Sequence, residues 1–225
     1  MGVPAILASG VSKYFGDFPA LRDVTVEVRT GSVLAMLGRN GAGKTTLLRI
    51  LAGLTAATEG SVSFPASSGR IGMIGHGTWL YDDLTAEENL RFFGRLYGVA
   101  RPGKAVDTWL DRVGLTGFRR SRVCEYSRGM RQRLTIARAF LHEPDILLLD
   151  EPWTALDDRA VALLSELVRA AKRSGRAAVV CSHQLREAAA VADTAALLHR
   201  GRLVFHGPVD DSLRADPQAI YRQIR

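Results

Sequence analysis

Gly38-Arg39-Asn40-Gly41-Ala42-Gly43-Lys44-Thr45 fits the pattern G-x-x-x-x-G-K-[ST] at every position, and the unbroken apolar run Val33-Leu34-Ala35-Met36-Leu37 leads directly into it. An apolar run without alternation reads as a strand buried on both faces of a parallel sheet. A helix is predicted from Lys44 to about Ala52. In that setting each residue type has a physical task. The glycines let the backbone curl tightly, so that successive N–H groups point inward at phosphate oxygens. The helix that follows adds its positive N-terminal end. Lys44 supplies a mobile point charge for the outer phosphates, and Thr45 offers a hydroxyl to Mg²⁺. Gly38, Arg39, Asn40, Gly41, Ala42, Gly43, Lys44, Thr45 and the adjoining Thr46 are therefore the candidate binding segment for ATP.

A second apolar run, Ile146-Leu147-Leu148-Leu149, ends in Asp150 and Glu151. Ligands of open α/β sheets bind at the carboxyl ends of the strands. A carboxylate there, beside a phosphate loop, suits Mg²⁺, bound directly or through water. Strand alternation predicts that the two acids face apart and serve different tasks. Asp150 is assigned to the metal, and Glu151 to orienting or deprotonating the attacking water. The plain alternative for Glu151 is a helix cap or surface acid. Two acids in series beside such a loop favour hydrolysis over binding alone.

Working outward, Val24, Val26 and Val28 alternate with Thr25, Glu27 and Arg29, the pattern of a half-buried antiparallel strand. Short strands are predicted near Ser61–Phe64 and Arg70–Ile74. The middle reads as helices at about Ala86–Tyr97, Gly103–Val113 and Gly129–Leu141. The last third alternates: a strand over Asp145–Leu149, an amphipathic helix over Asp158–Arg173, a buried strand over Ala177–Cys181 and a short helix over Gln184–Val191. A hairpin of Ala195–His199 and Arg202–His206 follows, turning at Arg200-Gly201. The order argues for an α/β sheet domain with an inserted helical lobe at about 85–142. The domain is placed at 4–208, with a polar, helical tail over 209–225 to which no function is attached.

Nearly half of the 225 residues are apolar, enough for a sizeable core. No apolar run approaches the ~18–20 residues that span a bilayer, and the first ten residues lack the features of a signal peptide, so a cytosolic protein is expected. Cys124 and Cys181 are far apart and read as reduced thiols with neither metal nor disulfide. The net charge of +7 comes mostly from Arg. It reads either as a surface bias or as attraction to an anionic surface. The Arg cluster near residues 119–133 has no interleaved aromatics of the kind that stack bases, and no nucleic-acid partner is expected.

With further motifs the chain resembles the nucleotide-binding subunits of ABC transporters, from about Ile6 to Gly207. Phe15, before Gly16, matches the aromatic on which that family stacks adenine. Ser127-Arg128-Gly129-Met130 occupies the place of the signature, usually Ser-Gly-Gly-Gln, at the start of a helix. Thr154-Ala155-Leu156-Asp157 looks like the D-loop, and Ser182-His183 like the switch histidine segment. The resemblance implies a P-loop NTPase fold of the ABC type, with an N-terminal antiparallel β subdomain and an inserted α-helical subdomain. It implies a transport-coupled ATPase, peripheral on the cytoplasmic side of the membrane and bound to a membrane-spanning subunit. It also implies a head-to-tail homodimer, or an equivalent ATPase partner, in which Ser127 and Gly129 of one subunit complete the ATP site of the other and His183 contacts the γ-phosphate.

Two departures stand out. Arg128 and Met130 replace the usual Gly and Gln of the signature, while Ser127 and Gly129 remain. His76 sits where most relatives carry the Q-loop glutamine, and is read as a metal-side ligand or as a plain loop histidine. Gly75-His76, the run Asp150-Glu151-Pro152-Trp153-Thr154-Ala155-Leu156-Asp157 and the short length, with no C-terminal regulatory domain expected, are similar to the ATP-binding subunit of the haem exporter of cytochrome c biogenesis. Trp79, Leu80, Tyr81 and Leu84 read either as a docking surface for the membrane subunit or as core of the helical lobe. Other ABC exporters are a second reading of the same motifs. A relative acting on DNA or ribosomes fits poorly, because only 82 residues separate Lys44 from Ser127. A small-molecule kinase leaves the Ser127 and His183 segments without a role.

Overall fold

The computed structural model describes residues 3–223. Two long strands, β1 (Pro4–Phe15) and β2 (Phe18–Arg29), pair antiparallel about the turn at Gly16-Asp17. Val24, Val26 and Val28 all point into the core, as their alternation predicts. Next come β3 (Val33–Leu37), α1 (Lys44–Leu51), β4 (Glu59–Ser63) and β5 (Ile71–Ile74). β4 joins the other edge of β1, giving a three-stranded antiparallel sheet in the order β2-β1-β4.

The inserted lobe holds α2 (Ala86–Leu96), α3 (Pro102–Arg112) and α4 (Arg128–Phe140). α2 starts where it does because Thr85 and Glu88 form a reciprocal capping box. Pro102 opens α3, one residue before the predicted start, since a helix tolerates proline in its first turn. Asn89 is fully buried and saturated: its amide group binds backbone atoms of Tyr81, Leu84 and Thr85. That network fixes the path of the segment entering α2.

β6 (Ile146–Asp150), α5 (Asp158–Arg173), β7 (Ala177–Cys181), α6 (Leu185–Val191), β8 (Thr194–His199) and β9 (Arg202–Pro208) complete the main sheet. Its order is β5-β6-β7-β3-β8-β9, parallel except for the β8–β9 hairpin. Every residue of β3, β6 and β7 is buried, because both sheet faces are covered. Val33, Ala35 and Leu37 pack into the core shared with the helical lobe and α5. Leu34 and Met36 face the opposite core, built with α1 and the antiparallel sheet. The two cores thus split β3 with a period of two residues.

Past β9, α7 (Asp211–Ala215) and a 3₁₀ turn over Pro217–Gln223 fold back onto the domain. Among the described residues, no helix is long and apolar enough to cross a membrane.

Candidate active site

β3 and β6 both end at one edge of the sheet, and they deliver the loop and the acids there. Gly38 and Gly43 have φ of 152° and 108°. A Cβ on Gly38 would stand 2.5 Å from the Leu198 carbonyl oxygen, and one on Gly43 2.7 Å from that of Ala20. Only glycine fits both the backbone turn and the close approach. Residues 40–46 line a cavity of about 470 Å³, together with Phe15, Phe18, His76, Asp150 and Glu151. Lys44 is buried, and its ammonium donates to the carbonyls of Gly38 (2.8 Å) and Arg39 (3.3 Å). α1 has no side-chain cap and no acid in its first turn. Its free N–H groups and the lysine make this wall of the cavity cationic.

On that wall, the Thr45 hydroxyl donates to Asp150 Oδ2 at 2.8 Å. Asp150 is only 4 % exposed. Burial pushes its carboxyl above the ordinary range; the Thr45 hydrogen bond draws it back, Glu151 raises it, and Lys44 and His76 lower it. A hydroxyl and a buried carboxylate converging at one point form a donor set of the kind a hard divalent cation takes. Among the described residues, no group of three or more His, Cys, Asp or Glu could hold a metal by itself. This edge suits a cation that arrives with phosphate oxygens.

The relation between Asp150 and Glu151 differs from the prediction of strand alternation. β6 ends at Asp150, and Glu151 has φ of 49°. The left-handed residue leaves the pleat, so both acids border the same cavity. Glu151 N–H donates to the Cys181 carbonyl at 2.8 Å, locking this turn to the end of β7. Its Oε2 accepts from the Ser182 hydroxyl (3.2 Å), the His183 amide (3.2 Å) and His183 Nδ1 (2.7 Å). The last of these requires the imidazole proton on Nδ1. Oε1 has no hydrogen-bond partner among the described residues. A carboxylate held by one oxygen and open at the other can accept a proton from water.

A second cavity, of about 1120 Å³, shares Asn40, His76, Asp150 and Glu151 with the first and adds Gly38, Arg39 and His183. The structure therefore brings together the whole run from Gly38 to Thr46 with Phe15, His76, Asp150, Glu151 and His183. Phe15 is 55 % exposed, and the Lys13 ammonium stands 5.2 Å from its ring centroid. Ser127 and Gly129 line neither cavity. Ser127 caps α4 by accepting from Met130 N–H (3.2 Å), while Arg128, Arg131 and Gln132 border the larger cavity. Trp79 and Tyr81 are 46 % and 49 % exposed, whereas Leu80 packs against the core and Leu84 is half-buried. The core alternative thus fails for the two aromatics.

Sequence reasoning missed Gln218 and Tyr221, which reach the larger cavity from the tail. A polar tail without periodicity gives no signal for this. It also missed Arg138, which is 2 % exposed and donates to the Met73 carbonyl (2.7 Å) and the Tyr97 hydroxyl (3.2 Å).

A parallel-sheet core, a glycine-rich phosphate loop and a strand-end acid pair define a P-loop ATPase. The family model described as ABC transporter matches residues 21–154. The ABC transporter ATP-binding protein NatA of Bacillus subtilis is 39% identical over 203 residues, covering 85% of this chain and 82% of its own. A solved ATP-binding subunit of an ABC transporter superposes with a TM-score of 0.89 at 27% identity, covering 98% of this chain and 100% of the other. A dimeric ATP-binding cassette in a post-hydrolysis state, bound to ADP and Pi, superposes with a TM-score of 0.80 at 25% identity, covering 91% and 99%. The chain belongs to the ABC transporter family, as an ATP-binding, ATP-hydrolysing subunit.

Proposed function

We propose that this subunit hydrolyses MgATP at the sheet edge and powers a separate membrane-spanning subunit from the cytoplasmic side, as one ABC domain over residues 4–208. The observation that carries the reading is the meeting of Thr45 and Asp150 at 2.8 Å beside Glu151, within one cavity. The amides of residues 38–46 and the Lys44 ammonium bind the phosphates, and the Phe15 ring takes the adenine. Thr45 and Asp150, with His76 lining the same cavity, would hold Mg²⁺, and the ion would supply positive charge to the phosphate oxygens.

Glu151 does the proton work. Its Oε2 is fixed by Ser182 and His183, and its open Oε1 orients a water against the γ-phosphorus. As the water oxygen bonds to phosphorus, the bond to the β–γ bridging oxygen breaks. Glu151 accepts the water's proton, and ADP and phosphate leave. His183 steadies Glu151 through Nδ1 and contacts the γ-phosphate.

Ser127 and Gly129, which line neither cavity of their own chain, serve the nucleotide of a second copy in a head-to-tail dimer. The likeness to a dimeric cassette bound to ADP and Pi supports that arrangement. Loss of the γ-phosphate removes those contacts and lets the dimer open. Trp79, Tyr81 and Phe92 are exposed, and Tyr81 and Phe92 meet with centroids 5.0 Å apart at α2. They form the docking surface for the membrane subunit. His76 and the segment Asp150–Asp157 favour the haem exporter of cytochrome c biogenesis as the transporter served.

The test is purification with the membrane protein that accompanies the chain, followed by ATPase assay. Stimulation by that subunit and by haem supports the reading. Stimulation by another cargo alone replaces haem export with a different exporter. Lys44→Ala should lose most ATP binding in calorimetry, and unchanged affinity would contradict the loop's role.

A further inference from the structure

The turn that follows β6 carries strain. Glu151 and Ala155 have φ of 49° and 65°, in the left-handed region that is costly for a residue with a Cβ. Thr154 Oγ1 is buried with no hydrogen-bond partner among the described residues, a further cost. Such a backbone persists only where its surroundings over-determine it. Part of the hold comes from the sheet and α5. Glu151 N–H donates to the Cys181 carbonyl at 2.8 Å. Trp153, 1 % exposed, donates from Nε1 to the Ser165 hydroxyl at 3.3 Å. Asp157 caps α5 by accepting from Ala160 N–H at 2.8 Å.

A further hold comes from the helical lobe. Gln132 Nε2 donates to the Pro152 carbonyl at 3.0 Å; Gln132 is half-buried and Pro152 is buried. Gly129 lies three residues earlier, on the same face of α4. A Cβ there would stand 3.3 Å from the Ala155 carbonyl oxygen. The helix thus meets the turn twice, once beside Glu151 and once at Ala155, its two left-handed residues. Both contacts come from the first turns of α4, which Ser127 caps. Pro152 follows Glu151 directly, and its ring fixes φ. A shift of the Pro152 carbonyl therefore passes to the Glu151 backbone with one torsion fewer to absorb it. Oε2 of Glu151 is gripped by Ser182 and His183, so a moved backbone re-aims the open Oε1.

We infer that Gln132 is a positioning residue for hydrolysis: its bond to the Pro152 carbonyl holds the Glu151 turn from α4 and ties it to the helix start that serves the second copy's nucleotide. The inference rests on the roles proposed above for Glu151 and for Ser127 and Gly129. It goes beyond them by joining the two within one chain. Seating the second copy's γ-phosphate on Ser127 and Gly129 fixes the first turn of α4, and Gln132 carries that order to the acid of its own site. Gln132 acts through the turn, and no proton passes through it.

The experiment compares full-length wild type with Gln132→Met, Gln132→Lys and Glu151→Gln. Steady-state hydrolysis, calorimetric ATP binding and melting temperature are measured on each. ATP-dependent dimerisation is followed by light scattering in Glu151→Gln, with and without Gln132→Met. Methionine keeps the length of the side chain and removes the donor, whereas lysine returns a donor on a stem of similar reach. Gln132→Met should lower kcat about tenfold, the size of one hydrogen bond. KM, ATP affinity and dimerisation should change by less than about twofold, and melting temperature by no more than about 4 °C. Gln132→Lys should regain most of the lost rate. Wild-type kcat in Gln132→Met overturns the inference. So does a fall in kcat matched by loss of ATP affinity or dimerisation, a melting temperature lowered into the assay range, or a Gln132→Lys protein as slow as Gln132→Met. Glu151→Gln at the wild-type rate removes the Glu151 assignment and the inference with it. A slow Glu151→Gln beside a fast Gln132→Met removes Gln132 alone.

Discussion

Asp150 and Glu151 are neighbours in sequence with opposite physical circumstances. Asp150 is a buried carboxylate whose ionised form is held at a cost, offset in part by Thr45 and Lys44. Glu151 is turned out of the strand by a left-handed backbone and gripped through one oxygen. Asp150→Asn should therefore leave the nucleotide-free protein as stable as wild type, or more so, while hydrolysis collapses; this is the pattern of a site that gives up stability for function. Thermal melting without nucleotide and a phosphate-release assay measure the two halves. Gly38→Ala should abolish ATP binding, because its Cβ would meet the Leu198 carbonyl at 2.5 Å. Calorimetry on the folded variant checks this.

The elements were legible in the sequence to different degrees, for identifiable reasons. β3 and β6 read clearly because burial on both faces demands an unbroken apolar run. Helix α1 read clearly because the loop motif fixes its first residue. The opposite facing of Asp150 and Glu151 did not survive, since a single positive φ breaks the alternation on which that prediction rests. The burial of Arg138 was also invisible: in sequence it is one more arginine on a helix. In the structure its guanidinium lies over Trp79 and Phe93, each 5.3 Å to the ring centroid, and binds the Met73 carbonyl. It ties β5 and the segment behind His76 to α4. Arg138→Ala should cost about 2–4 kcal/mol in urea unfolding, from lost packing and an unpaired buried carbonyl.

A second element-level test concerns α2. The hydrogen bond from Arg119 holds the Glu87 carboxyl below its ordinary range against the opposing effect of burial, and Arg91 adds to the lowering. A carboxyl depressed in the folded state contributes stability above its unfolded pKa and loses it as pH falls through the folded pKa. Glu87→Gln should thus be destabilised by about 1 kcal/mol or less at neutral pH. The difference from wild type should vanish in acid, below the folded pKa of Glu87. Urea midpoints at neutral pH and in acid read this directly.

For the whole molecule, the two halves of the nucleotide site lie apart within one chain. The phosphate loop and acids share cavities, and of the α4 start only Arg128 borders one of them, while Ser127 and Gly129 line neither. In the proposed head-to-tail dimer a second copy brings the halves together. Ser127→Arg should leave ATP binding to a single chain intact and prevent ATP-dependent dimerisation, as followed by light scattering. The exposed aromatics of the helical lobe make a separate prediction: Trp79→Asp or Tyr81→Asp should keep ATP binding and lose stimulation by the membrane subunit.

The proposed hydrolysis depends on Glu151 acting on water beside a triphosphate wrapped by residues 38–46. Phosphate release from MgATP by Glu151→Gln, set beside wild type under conditions where both bind ATP, tests it most directly. The predicted result is retained binding with release slowed by about 10²-fold or more. Release at the wild-type rate with equal binding would contradict it.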